Sequence, residues 1–414
     1  MGKLNDIRFQ KTNGGMGRKA ASEDPVSGLV FGGFGADVLT FGSADGNLKG
    51  FDTIGSPATA YIKKFQYVEQ LAEAGIMWTE NGNGSGTGGA LTAEETAKNA
   101  LYYHISEFFR MNEEGTLYVM IKAGATAVEA GDVTVLQEYA NGAMRQCGIF
   151  SGTLIAVATL QTELTALENN HMPMSVVETY DGSSVTMATL TGTSLASAGK
   201  CNVSVLIGCD GDATLVSNLG TYANYGCIGA CIGAISKAAV HECIAWVQKF
   251  KLGLKAPALF NGSLIKNVSV ANQELLNDNR YIFVRTHVGD ADNYFNDSHT
   301  CDVVTSDYAN IENVRTIDKA CRGVRANLLP YLASPLKVDA ETGKLDAPMV
   351  AFLETTAGKA LEDMEKAGEL SGYKAEIDPE QNVLATSTVE VVIKNVPMGV
   401  MRKINVKIGF ATKL

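Results

Sequence analysis

The chain has 414 residues, of which 46% are hydrophobic and 19% are charged, and its formal net charge at pH 7 is −11. This is the composition of a globular protein with room for two or three domains, and it excludes extensive disorder. The acidic balance also argues against a general nucleic-acid binder, because phosphate contacts need a concentrated basic surface.

The first 24 residues are predicted to form an N-terminal arm. Residues 4–11 alternate in polarity, with Ile7 and Phe9 on one face of a short strand. The start, MGKLNDIRF, lacks the apolar core of a signal peptide. A polar connector with several glycines follows the strand. A single strand is not stable alone, so it must pair either within its own chain or with another chain.

Residues 25–270 are predicted to form an α/β body of one or two subdomains, because strand and helix patterns alternate along them. Thr92 and Glu95 have the spacing of a capping box and mark the start of one helix. Strands are predicted at 26–31, 117–121, 148–151, 174–177 and 203–207, and helices at 62–76, 93–112, 133–145, 154–169 and 222–251. The apolar run within the last helix contains Lys237 and Glu242, which argues against a membrane span.

Residues 271–401 are predicted to form a C-terminal module of two helices and a sheet. Its helices are expected at 311–329 and 348–366, and its strands at 372–377 and 388–394. Residues 402–414 are predicted to be a further strand or an arm. In this segment Ile404, Val406, Ile408 and Phe410 share one face. The alternative is that this strand completes the sheet of its own chain.

The helix at 311–329 is predicted to be buried on one side and cationic on the other. Its apolar residues recur at spacings of three and four, whereas Arg315, Lys319 and Arg322 gather on the opposite side. On an acidic protein this basic face is a local exception. The alternative is an ordinary helix face in contact with solvent.

Two turns contain residue types that are found in binding sites. Residues 32–35 (GGFG) follow a strand, as a dinucleotide loop does, but the spacing is not G-x-G-x-x-G and no clear helix follows. Residues 209–212 (CDGD) offer two carboxylates after a strand, a position suited to a cation or to phosphate transfer. A plain turn is the favoured interpretation of both.

The cysteines and histidines suggest no metal centre or nucleophile. Cys227, Cys231, His241 and Cys243 fall on one predicted helix, which spreads its residues by about 5.4 Å per turn and cannot converge four zinc ligands. Eight cysteines without dense spacing indicate a reducing compartment. No nucleophile, Walker or H-E-x-x-H motif occurs. The sequence therefore predicts neither catalysis nor a cofactor or metal.

At residues 293–336 the chain resembles the core of contractile tail sheath proteins. The run NYFNDSHTCDVVTSDYANIENVRTIDKACRGVRANLLPYLASPL is similar to the family pattern of an aspartate–aromatic pair followed by a helix that reads roughly R-x-I-D-K-A. The matching residues are Asp307, Tyr308, Arg315, Ile317, Asp318, Lys319 and Ala320. The likeness covers about residues 280–414, and points to single-chain sheaths of phage tails and phage-like injection systems, in a Bacteroides-type branch.

The resemblance implies a sheath-like multidomain subunit, with both α/β and α+β parts, that acts without a cofactor, nucleic acid or membrane insertion. Such subunits polymerise into stacked hexameric rings around an inner tail tube and contract to drive the tube through a cell envelope. The implied partners are further copies, the tube protein, and baseplate and tail terminator proteins. The particle is a phage tail or injection system assembled in the bacterial cytoplasm.

The resemblance also assigns roles to the surfaces found above. The C-terminal module faces the tube, so Arg315, Lys319 and Arg322 are expected to contact it, and the two terminal strands are expected to pair with neighbouring subunits. Reversal of the three charges is then expected to leave the fold intact and to reduce assembly on the tube. The alternatives are another tail component, such as a tube or baseplate protein, or a cytosolic α/β enzyme.

Overall fold

An eight-stranded sheet forms the centre of the body in the computed structural model, which describes residues 24–35, 38–44, 46–124 and 127–411. The strand order is β10-β7-β6-β5-β1-β4-β3-β2, and the strands from β10 to β4 run parallel, whereas β3 and β2 are antiparallel to their neighbours. The strands are β1 (Val26–Phe31), β2 (Asp52–Ile54), β3 (Ala60–Phe65), β4 (Thr116–Lys122), β5 (Gln146–Ser151), β6 (Ser175–Tyr180), β7 (Val203–Leu206), β8 (Gly208–Asp210), β9 (Pro257–Leu259), β10 (Tyr281–Ile282), β11 (Val284–Thr286), β12 (Asn293–Phe295), β13 (Leu370–Glu376) and β14 (Val392–Pro397).

Helices cover both faces of this sheet. The helices are α1 (Gln70–Glu73), α2 (Ala93–Met111), α3 (Gly131–Tyr139), α4 (Val157–Asn169), α5 (Met187–Gly192), α6 (Ala213–Leu219), α7 (Ile228–Lys237), α8 (Val270–Asp278), α9 (Ile311–Leu328), α10 (Ala347–Lys366) and α11 (Val383–Thr386). Apolar side chains of α2 and α7 form the core on one face, and those of α3, α4, α5 and α8 form the core on the other. The predicted α/β class is confirmed.

The sequence explains the middle of the body well. The central strands β1 and β5 are almost continuously buried, as parallel strands covered on both faces must be. Helix α2 begins with the predicted capping box of Thr92 and Glu95. It packs tightly on α7, since a Cβ at Gly229 would lie 1.8 Å from the carbonyl oxygen of His104. Only glycine permits this approach of the two helices.

The predicted helix at residues 62–76 is wrong. The chain instead forms β3 and then the short helix α1. In β3 the fully buried Ala60 and Ile62 face the core on one side of the sheet and Phe65 faces the core on the other, and the strand pairs with β4 along its whole length. Pairing with a buried neighbour therefore overrides the local helical spacing of the apolar residues.

The predicted helix at residues 222–251 is also wrong over most of its length. Helix α7 spans ten residues, and the backbone turns to an extended conformation at Ala238. From there the chain runs through turns to Phe250, which is fully buried in the core. The small residues before and after Ala238 do not reveal this break.

The C-terminal module consists of α9, α10 and the antiparallel hairpin of β13 and β14. Helices α9 and α10 approach closely at Gly323, where a Cβ would lie 2.7 Å from that of Ala360. A small core of Leu361, Met364 and Leu370 joins α10 to the hairpin and to α9. Strand β14 lies a few residues later than predicted. Residues 401–411 form no strand in the described part of the chain, so the prediction that they complete their own sheet is not supported.

Candidate functional site at helix α9

Arg315 is buried between helix α9 and the end of α7 rather than exposed on a basic face. The residue is only 4% exposed. Its guanidinium donates hydrogen bonds to the carbonyl oxygen of Ala238 at 3.2 Å and to that of Ala239 at 3.4 Å. These carbonyls directly follow α7, where a cation is favourable. Burial lowers the pKa of Arg315 to about 10. The prediction that Arg315 lies on an exposed face is therefore wrong.

This position changes the expected outcome of a charge reversal. Arg315→Glu buries a carboxylate beside two carbonyl oxygens, so we expect it to lower the free energy of unfolding by about 3 kcal/mol or more. Denaturant unfolding of the purified protein measures this. Arg325→Glu is the matched control, since Arg325 is exposed on the same helix, and a loss below about 1 kcal/mol is expected there. Equal losses in the two variants would contradict the buried role.

Lys319 and Arg322 form ion pairs with Asp24, the first residue of the described chain. The ammonium of Lys319 lies 2.8 Å from a carboxylate oxygen of Asp24 and 2.6 Å from one of Glu369. The guanidinium of Arg322 lies 3.5 Å from the other oxygen of Asp24. Both cations therefore face acidic groups of their own chain. They join the entry to β1, the helix α9 and the turn before β13.

Arg402, at the end of the C-terminal module, forms ion pairs with two acidic residues. Its Nε donates to both carboxylate oxygens of Asp297 at 3.0 Å, and its guanidinium also donates to Glu312 in the first turn of α9. Burial lowers the pKa of Arg402, but the charges of Asp297 and Glu312 outweigh this effect and raise it. Glu312 is buried and also accepts from Ser298 Oγ at 2.5 Å. Arg402 is thus fixed against the body.

Beyond Arg402 the apolar side chains point into solvent. Ile404, Val406, Ile408 and Phe410 are at least 70% exposed, and these residues make no strand pairing in the described chain. A row of four large apolar side chains in water is unfavourable at about 25 cal/mol per Å² of apolar area. The segment 403–411 is named the C-terminal arm, and its role between subunits stays a prediction. The N-terminal residues Ile7 and Phe9 lie outside the described residues.

Asp318 is a buried carboxylate on α9. The residue is 6% exposed. Burial raises its pKa to about 7, although Arg322 and other nearby arginines act in the opposite direction. The carboxylate is therefore costly to the folded subunit when it is ionised.

We expect Asp318→Asn to stabilise the isolated subunit at high pH. The pKa of Asp318 is higher in the folded state than in the unfolded state, so between about pH 4 and 7 the folded state binds more protons. The free energy of unfolding of the wild-type protein therefore falls as the pH rises through that range. Relative to wild type, Asp318→Asn is therefore expected to raise the free energy of unfolding by almost nothing at pH 4 and by about 2–4 kcal/mol above pH 7. Unfolding curves at both pH values test this. A gain that does not depend on pH would argue against it.

The other candidate patterns have structural explanations. The carboxylate of Asp210 accepts from the backbone N–H groups of Lys255 and Ala256, and Asp212 caps α6. Cys231 is fully buried, and Cys243 lies 3.4 Å from Ser298 Oγ. Within the described ranges, no three histidine, cysteine or acidic side chains come together as metal ligands. Among the same residues, no helix combines the length and apolar character needed to cross a bilayer.

Comparisons with known proteins identify the family. A model described as DUF2586, N-terminal domain, matches residues 4–299, and one described as DUF2586, C-terminal domain, matches residues 307–414. The chain belongs to the DUF2586 family. The boundary between the two matched regions falls just before α9. The domain limits predicted from the sequence stay predictions, and no curated protein matches this DUF2586 chain in sequence.

Solved AFP chains share the fold of this DUF2586 chain over its whole length. A chain of the anti-feeding prophage (AFP) helical sheath in its contracted state is 14% identical, with a TM-score of 0.58 over 99% of both chains. A chain of the 6-fold symmetrised AFP baseplate is 12% identical, with a TM-score of 0.58 over 100% of both chains. The sheath tail protein of Listeria innocua is 9% identical, covers 92% of this chain and 96% of that one, and has a TM-score of 0.49. The predicted resemblance to contractile tail sheath proteins is confirmed at the level of fold, and the Bacteroides-type branch stays a prediction.

Sequence reasoning missed five residues that matter at this site. Asp24 and Glu369 pair with Lys319, and Arg402 pairs with Asp297 and Glu312, across separations of 50 to 295 positions along the chain. The one usable signal was that Arg402 directly precedes an alternating segment, where a fixed point is needed. The acidic partners gave no signal, because isolated Asp and Glu residues are common on any surface.

Proposed function

We propose that this DUF2586 protein is the sheath subunit of a contractile tail or injection particle. The observation that carries the proposal is the C-terminal arm, whose apolar side chains are exposed and unpaired in a chain with the fold of an AFP sheath chain. Strand addition suits such a segment, because its free N–H and C=O groups pair with a neighbour while alternate side chains fix the register. The proposed polymer is a stack of hexameric rings around an inner tube.

The proposed partners follow from this assembly. They are further copies of the chain, the tube, and the baseplate and terminator proteins at the ends of the tail. Lys319 and Arg322 are proposed to contact the tube only with the exposed parts of their side chains, since both are paired with acidic groups of their own chain. Arg315 takes no part in this surface because it is buried. The particle is proposed to assemble in the bacterial cytoplasm.

Electron microscopy of the purified protein tests the proposal. A sheath subunit is expected to form long, striated tubes of constant diameter, because its head-to-tail contacts generate an open helical array. A tube or baseplate component forms narrow tubes or closed rings, and an α/β enzyme forms small closed oligomers. Closed oligomers alone at every concentration tested would contradict the proposal.

A further inference from the structure

His299 is a buried histidine beside the ion pairs of Arg402. The residue is 4% exposed, its ring contacts Asn277 on α8, and its backbone pairs with Asn310 directly before α9. It lies two residues after Asp297, whose carboxylate binds Arg402. A change in the charge of this ring therefore acts at the point where Arg402 is anchored to the body.

The hydrogen bonds of the His299 ring fit only its neutral form. Nε2 lies 2.9 Å from Oδ1 of Asn277, and the same oxygen accepts from Nδ2 of Asn296 at 3.1 Å, so Nε2 carries the ring proton. The other ring nitrogen, Nδ1, is buried without a hydrogen-bond partner in the described chain. A second proton on Nδ1 would be a buried donor that lacks an acceptor, which is unfavourable.

The charges around the ring also oppose a second proton. Arg280, which follows α8, and Arg402 both lie near it. Asp297 and Asp278 act in the opposite direction, but both oxygens of Asp297 already accept from Arg402 at 3.0 Å. Burial is the largest effect, and together with the two arginines it lowers the pKa of His299 to about 4.

We propose that His299 is a proton-sensitive lock on the anchor that Arg402 forms, and that mild acid opens it. When the contact of residues 296–311 with Arg402 opens, the ring meets solvent and regains the ordinary histidine pKa of about 6.5. The open state then binds one more proton than the closed state. The stability of the closed state is therefore fully present above about pH 6.5 and is lost as the pH falls toward the lower folded value. This lock belongs to the single subunit and does not depend on the proposed sheath function.

Hydrogen exchange of residues 296–312, followed by mass spectrometry, measures the opening. The N–H of Thr300 donates to the carbonyl oxygen of Ala309, and that of Ile311 donates to the carbonyl oxygen of Ser298, so both exchange when this segment opens. In the wild-type protein, the protection of these amides, corrected for the intrinsic exchange rate, is expected to fall about 40-fold between pH 6.5 and 4.5.

Two histidine variants separate His299 from other acid effects. His299→Gln keeps an N–H donor toward Asn277 but binds no proton, so the protection is expected not to depend on pH over this range. His171→Asn is the matched control, because it removes an exposed histidine from a turn of the body. It is expected to show the same fall as the wild-type protein.

Several results would overturn the proposal. These are protection that does not change with pH in the wild-type protein, an equal fall in His299→Gln, and an equal fall for the amides of β5, which would show opening of the whole subunit. If His299→Gln does not fold, Asn277→Asp replaces it. Its carboxylate accepts from Nε2–H and favours the charged ring, so the fall is expected to shrink below about tenfold, and an unchanged fall would count against the proposal.

Arg402→Ala tests whether the lock acts on the anchor. Without the guanidinium, Asp297 is free to pair with the charged ring of His299, so protonation no longer favours the open state as strongly. The fall in protection between pH 6.5 and 4.5 is therefore expected to be smaller in this variant than in the wild-type protein. A fall of the same size would show that His299 and Arg402 are not coupled.

Discussion

Removal of the residues after Arg402 is expected to abolish polymerisation while leaving the unfolding temperature of the subunit unchanged. The reason is that residues 403–411 bury almost nothing in their own chain, where Ile408 is 92% exposed and Phe410 is 111% exposed. Their loss therefore costs the subunit no core contacts. The proposed polymer, however, loses the main-chain hydrogen bonds and the apolar row through which its subunits are proposed to join. Arg402 itself is kept, so that Glu312 and Asp297 remain paired.

Sedimentation and electron microscopy measure the polymer, and calorimetry measures the subunit. The matched control is Lys403→Gln with Lys407→Gln, which keeps the apolar row and the backbone but removes two charges of the arm. We expect this control to assemble, with a higher critical concentration. Tubes of normal length from the truncated chain would show that the arm does not join the subunits. A large fall in unfolding temperature would show instead that the segment packs on its own body.

Arg402→Ala is expected to destabilise the subunit and to weaken assembly together. The substitution leaves the buried carboxylate of Glu312 and that of Asp297 without their cation. Loss of one partner of a buried ion pair costs about 3–5 kcal/mol, and the partial exposure of Arg402 reduces this to about 2–3 kcal/mol. The control is Lys394→Ala, which removes an exposed ion pair with Glu376. It is expected to lower the free energy of unfolding by less than about 0.5 kcal/mol.

The effect of Arg402→Ala should depend on pH in a defined direction. Burial raises the pKa of Asp297, but the charges of His299 and Arg402 outweigh this effect and hold the pKa below its usual value. The stability that this carboxylate contributes is present above the unfolded pKa of about 3.9 and is lost as the pH falls through the lower folded value. The difference between wild type and variant should therefore be largest at neutral pH and shrink below pH 4. A difference that grows in acid would contradict the ion-pair account.

The sequence predicted the elements better than it predicted their surroundings. Strand β1 and helix α2 were readable because an apolar run and a capping box are local signals. Helix α9 was placed within one residue of its observed limits, yet its buried side was assigned only in part, since Val314 is buried as predicted but Ile317 and Val324 are only half-buried. A helix between a body and a second helix is covered on two sides, so Arg315 and Asp318 are buried while Cys321 of the predicted apolar stripe is exposed.

The same limit applies to the candidate site. The alternation of residues 403–410 can be recognised in the sequence because it does not depend on a partner, and the arm that it predicts stays a prediction. The pairing of Lys319 with Asp24 could not be predicted, since the two residues are 295 positions apart and only the fold brings them together. The end of α7 could not be predicted either, because the carbonyl group exposed there accepts hydrogen bonds from the guanidinium of Arg315 on another helix. Local periodicity contains no information about such partners.

Helix α9 joins the first residue of the described chain to the residue that precedes the C-terminal arm. Asp24 is tied to it at Lys319, and Arg402 is tied to it at Glu312, two turns away, a distance of about 10 Å along the axis. A pulling force applied to the chain before Asp24 and after Arg402 is therefore transmitted through helix α9 and not through the eight-stranded sheet. The spacing between the two points of attachment is fixed by the rise of a single helix. In the proposed sheath, the central sheet can then rotate without a change in the length of this connection.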